Sequence, residues 1–71
     1  MNIDIRKNIL DNFKDSNLED IEESIKEAIK DNDEIILPGL GVLFEILWKN
    51  SNVNQRKEIL QNIYEGIKKY D

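Results

Sequence analysis

Five large apolar residues, Leu40, Leu43, Phe44, Leu47 and Trp48, stand at positions i, i+3, i+4, i+7 and i+8 of one stretch. That spacing places all five on one side of an α-helix, and a chain that carries it must find apolar surface to cover that side. The same stretch can be written as a strand, with Val42, Phe44, Ile46 and Trp48 on one face and Leu43, Glu45, Leu47 and Lys49 on the other. The second face mixes charged and apolar residues, so the helix, starting at Pro38, is the preferred reading. Proline at a first helical turn sacrifices no hydrogen bond, because that amide has no partner there in any case. Gly39 and Gly41 oppose the helix by roughly 1 kcal/mol each in its interior. In the first turn they cost less and would admit the close approach of another backbone.

The flanking segments repeat the pattern more weakly. Ile5, Ile9, Leu10 and Phe13 form one side of a short first helix that Asn2 or Asp4 can cap. After a turn at Asp15-Ser16-Asn17, the run Ser16-Asn17-Leu18-Glu19 fits a capping box, and Leu18, Ile21, Ile25, Ala28 and Ile29 continue as the stripe of a second helix. Asp31-Asn32-Asp33 ends it. Asn50-Ser51-Asn52 is a second polar break, and Val53, Leu60, Ile63, Tyr64 and Ile67 share a face beyond it, with Ile59 beside them. The expected fold is all-α: a single domain over residues 1–71, a small bundle of about four short helices, roughly 4–14, 18–31, 38–50 and 53–69, around the central apolar helix. Leu40, Leu43, Phe44, Leu47 and Trp48 should be its core, wet only along Glu45 and Lys49, so that Phe44→Ala would cost about 3–5 kcal/mol. If Leu40 and Trp48 prove exposed, the same stripe becomes a homodimer or protein-partner surface.

Several chemistries are excluded by what the chain lacks. It contains no Cys and no His, which removes disulfides, thiolate nucleophiles, imidazole bases and the usual zinc ligands. Ser16, Ser24 and Ser51 occupy cap or surface positions, and no Gly-rich loop has phosphate-binding spacing. Glu19, Asp20, Glu22 and Glu23 crowd the start of the second helix, where the macrodipole favours negative charge. They do not alternate around a glycine as calcium-loop acids do. No catalytic residue, cofactor or metal is therefore expected. No apolar run reaches signal-peptide or membrane-span length, and the chain is expected to stay in the compartment that makes it.

Net charge is −5, unevenly spread: residues 1–34 hold eleven acids against five bases, and residues 35–71 hold four against five. A duplex-binding protein draws most of its affinity from a cationic face. Arg6-Lys7, Arg56-Lys57 and Lys68-Lys69 are separated pairs that read as solvated helix faces and ends. A nucleic-acid partner is not expected from them.

The run Leu37-Pro38-Gly39-Leu40-Gly41-Val42-Leu43-Phe44-Glu45, followed by Ile46-Leu47-Trp48-Lys49-Asn50, strongly resembles the small acid-soluble spore protein I family of endospore-forming Firmicutes. The resemblance extends to Ile5-Arg6-Lys7 with Ile9, to Ile25 with Glu27-Ala28-Ile29, and to Glu65-Gly66-Ile67-Lys68-Lys69, covering essentially the whole chain. It implies a minor sporulation protein made in the forespore and kept in the spore core, with no assigned enzymatic activity and with Leu37, Pro38, Gly39, Leu40, Gly41, Leu43, Phe44, Glu45, Leu47 and Trp48 as the family motif. Its richness in Asn, Asp and Ile points to an AT-rich clostridial source. The glycine-rich, basic segments of the major DNA-saturating spore proteins are missing. A looser resemblance links Gly39-Leu40-Gly41 and Phe44-Glu45 to histone-like bacterial proteins, which enter a strand through a Gly-aromatic-Gly turn; here the spacing is one residue off and no cationic arm follows. The alternative function that this keeps open is nucleic-acid binding, histone-like or DNA-protecting.

Overall fold

The computed structural model describes residues 4–70. Four α-helices follow one another: α1 (Ile5–Phe13), α2 (Leu18–Asp31), α3 (Leu37–Lys49) and α4 (Val53–Lys69), with a single 3-10 turn, Glu34–Ile36, leading into α3. No strand occurs among the described residues, so the strand reading of the central segment is set aside. The fold is all-α, and α3 borders the other elements.

Side-chain caps explain where the helices start. The Lys7 amide donates to Asp4 Oδ1 at 2.9 Å, which makes Asp4 the cap of α1; the other candidate, Asn2, lies outside the described residues. For α2 the expected box on Ser16 and Glu19 is corrected by one residue. Asn17 is the cap: its Oδ1 accepts from the Asp20 amide at 2.8 Å, and Asp20 Oδ2 accepts from the Asn17 amide at 3.4 Å. Ser16 is excluded because its own amide is already turned back to the Phe13 carbonyl, whereas Asn17 has the extended backbone a cap needs. Asn52 and Gln55 form the same reciprocal pair ahead of α4, both bonds at 2.8 Å.

The stop of α2 is Asn32, at φ 50° and ψ 36°. Asparagine tolerates this left-handed conformation better than other residues with a Cβ. Asp33 then caps the 3-10 turn by accepting from the Ile35 amide, and the Leu37 amide bonds back to Glu34. That turn was not anticipated from the sequence. It carries the chain into α3 one residue ahead of Pro38, which still falls in the first turn. Gly39 and Gly41 do not serve close approach, because a methyl group at either would meet nothing within 4 Å outside its own helix.

Packing departs further from expectation. Among the described residues only Val42 is buried, at 7% exposure, whereas Phe44 and Leu47 are 42% and 48% exposed. Leu40, Leu43 and Trp48 are half-buried, and so is Glu45, which was expected to be wet. The physical reason is the position of α1. Arg6 forks onto Glu45, its Nε and Nη2 donating to the two carboxylate oxygens at 2.8 and 2.7 Å, and this holds α1 against the Val42 and Glu45 side of α3. The stripes of the other helices are thinned likewise. In α2, Ile21, Ile25 and Ala28 are half-buried while Leu18 and Ile29 are exposed; in α4 only Ile59 and Arg56 turn inward. The radius of gyration is 13.8 Å, against about 11 Å for a close-packed chain of this length.

The caps define a first prediction: Asn17→Ala and Asn52→Ala should each lower unfolding free energy by about 1 kcal/mol, with serine restoring most of it, measured by chemical denaturation. Because the space at Gly41 is open, Gly41→Ala should raise stability by up to about 1 kcal/mol in the same assay; a loss would mean that something does approach there. The Arg6 hydrogen bonds, reinforced by the attraction of Arg6 and Lys49, hold the Glu45 carboxyl below the usual carboxylate range. A depressed folded-state value gives stability that is complete above the unfolded carboxylate's pKa and is lost as pH falls through the folded one. The melting difference between the parent and Glu45→Gln should therefore shrink on going from about pH 7 to about pH 3. A difference that stayed constant across that range would contradict it.

Candidate functional site

All ten motif residues lie on α3: Leu37, Pro38, Gly39, Leu40, Gly41, Leu43, Phe44, Glu45, Leu47 and Trp48. They do not share one environment. Leu37 is exposed at the start of the helix, Pro38 and Gly41 lie on the side of Ile5 and Arg6, and Glu45 is engaged by Arg6. Leu40, Leu43, Phe44 and Leu47 face elsewhere. With Leu10 and Phe13 of α1 and Ile21 and Ile25 of α2 they line an open groove of about 510 Å³ whose exposed surface is almost wholly apolar.

A second hollow, about 310 Å³, sits at the elbow between α3 and α4, walled by Phe44, Trp48 and Leu60 with Glu45 and Lys49 at its edge. The Phe44 and Trp48 rings lie 6.2 Å apart with planes inclined by 29°, within the range of offset aromatic pairs. Arg56 is the residue that fixes this corner. Its Nε donates to the Trp48 carbonyl at 2.9 Å, and its guanidinium carbon stands 5.1 Å from the centre of the Trp48 ring. Asn50 Nδ2 and Ser51 Oγ donate to the carbonyls of Ile46 and Leu47, closing the last turn of α3. Phe44 borders both hollows, so the two are adjoining parts of one apolar surface.

This surface offers large aliphatic and aromatic side chains, the Glu45 carboxylate engaged by Arg6, and the cations Lys49 and Arg56. Among the described residues no group of three or more acids is placed to hold a metal ion, and no helix is long and apolar enough to cross a membrane. Sequence reasoning missed Arg6 and Arg56 as organisers of α3. The available signal was their spacing: Arg56 follows the Asn52 cap by four residues, one turn into α4, where a long side chain can reach back to the open carbonyls of the preceding helix.

The chain matches the family model described as small, acid-soluble spore protein I over residues 3–67. A small, acid-soluble spore protein I of Halalkalibacterium halodurans is 42% identical over 67 residues, covering 94% of this chain and 98% of its own length. Proteins of the same name from Bacillus cereus and Bacillus cytotoxicus are 39% and 40% identical over 69 and 68 residues, spanning 97% and 96% of this chain and 100% and 97% of theirs. No solved structure matches. With the motif on one helix and relatives aligned almost end to end, the chain belongs to the small, acid-soluble spore protein I family.

Proposed function

We propose that this protein is a non-catalytic structural or interaction protein of the spore core, made in the forespore. The observation that carries the reading is the near full-length relationship to spore proteins, at about 40% identity. A composition without His or Cys supports a non-catalytic role, since it leaves only carboxylates, lysines and lone serines for any chemistry. The apolar surface of α3 supports interaction, because contiguous exposed patches of this kind mark places where a partner sits.

Nucleic-acid binding is the competing reading, and one element favours it. Helix α4 carries Arg56, Lys57, Lys68 and Lys69 against Glu58 and Glu65. Four cations at two ends of a helix make few phosphate contacts, and the acidic first half of the chain repels the duplex.

Immunodetection during a sporulation time course tests the proposal: the protein should accumulate in the forespore and be absent from vegetative cells. Equal amounts in growing cells would overturn it. For the competing reading, titration into labelled duplex at low salt should give no binding at roughly 100 μM protein, the weak end of non-specific affinity.

A further inference from the structure

The single chain exposes more surface than a folded chain of its mass should. Its accessible area is 6637 Å², whereas a compact monomer of 8.4 kDa exposes about 4600 Å². The surplus of about 2000 Å² exceeds the roughly 800 Å² that each partner buries in an interface of standard size, and falls in the range of obligate homodimers. Two exposed apolar surfaces contribute to it, and they match each other. One is the groove between α1, α2 and α3. The other is the outer stripe of α4, formed by Leu60, Ile63, Tyr64 and Ile67, all exposed.

We propose that the protein is a two-fold dimer in which α4 of each copy lies in the α1–α2–α3 groove of the other. Three features of the chain argue for a second copy as the occupant. The dimensions agree: Leu40 to Leu47 along the groove and Leu60 to Ile67 along α4 are each the same seven steps of helix, about two turns and about 10.5 Å. The charges agree as well. Helix α2, which walls the groove, carries six acids (Glu19, Asp20, Glu22, Glu23, Glu27, Asp31) against two lysines, a balance of −4, while α4 carries four bases against two acids, a balance of +2.

The third feature is that α4 is held away from the groove of its own chain. Only residues 50–52 connect it to α3, and the Arg56 bond to the Trp48 carbonyl fastens its first turn at the elbow. Leu60 accordingly lines the elbow hollow and not the groove. A two-fold axis satisfies both grooves at once, because the same pair of surfaces is used in each direction. The inference does not depend on where in the cell the protein acts.

Sedimentation of the full chain over a range of concentrations should give a dimer, weakened by added salt. Ile63→Asp places a charge at the centre of the docked stripe and should raise the dimer dissociation constant about 100-fold or more. If that variant loses its helical circular dichroism, cysteine pairing supplies the independent reading, since the natural chain has no cysteine. Equimolar Ile25→Cys and Ile63→Cys chains, mixed, annealed and mildly oxidised, should form the mixed 25–63 crosslink in preference to 63–63. A parent chain that is monomeric at every concentration, or crosslinks that join α4 to α4, would overturn the proposal, as would a dimer that survives Ile63→Asp unchanged.

Discussion

The bond from Arg56 to the Trp48 carbonyl decides the course of α4, and with it what the rest of the molecule can cover. A helix C-terminus leaves its last carbonyls without intrahelical partners. Here Arg56 donates to the Trp48 carbonyl, which the Ser51 amide also reaches, and lays its guanidinium over the Trp48 ring; the Ser51 hydroxyl takes the Leu47 carbonyl, and the Asn50 side chain adds a second bond to the Ile46 carbonyl beside that of its own amide. The Asn52 and Gln55 box then restarts the chain as a helix at once. An elbow built this way has few free torsions. Helix α4 leaves α3 beside Phe44 and Trp48, and its residues from Leu60 to Tyr70 are all exposed.

At the opposite side of α3 the Arg6 fork on Glu45 does comparable work. It is an exposed pair, and such pairs add little to stability on their own. Its contribution is one of place: it joins α1 to α3 beside Val42, the one buried residue among those described. Each arginine ties a neighbouring helix to α3, and the stripe of α3 is covered only in part: Leu40, Leu43 and Trp48 are half-buried, Phe44 and Leu47 exposed. A chain of 71 residues has little apolar area to lose in this way. The exposed groove is therefore the feature of the fold that most needs a physical account, and association offers one that an enlarged single-chain core does not.

Much of the local structure was legible in the sequence because it depends on neighbours in the chain. The stripe at Leu40, Leu43, Phe44, Leu47 and Trp48 specified a helix over a strand, and the clusters at Asp15-Ser16-Asn17, Asp31-Asn32-Asp33 and Asn50-Ser51-Asn52 supplied the breaks. The cap of α2 was misplaced by one residue, since Ser16-x-x-Glu19 and Asn17-x-x-Asp20 satisfy the same spacing and only backbone geometry separates them. The 3-10 turn at Glu34–Ile36 left no periodic signal, being too short for one. The family was legible in the sequence, and the ten residues singled out between Leu37 and Trp48 do lie on one helix. The expectation that Leu40, Leu43, Phe44, Leu47 and Trp48 form the core failed, with Phe44 and Leu47 exposed, because amphipathic spacing says that a face will be covered without saying by what.

Sequence alone determined the helices, most of their ends, the exclusion of histidine and thiol chemistry, and the family, because each rests on residue type and short-range spacing. Tertiary structure decided which face of α3 is covered, that among the described residues Val42 and not Phe44 is the buried one, and that α4 stands apart from the groove. Those outcomes go with contacts between residues far apart in the chain, among them Arg6 on a carboxylate 39 residues away and Arg56 on a carbonyl eight residues away. Periodicity cannot register contacts of that kind, since they depend on where whole helices lie in space.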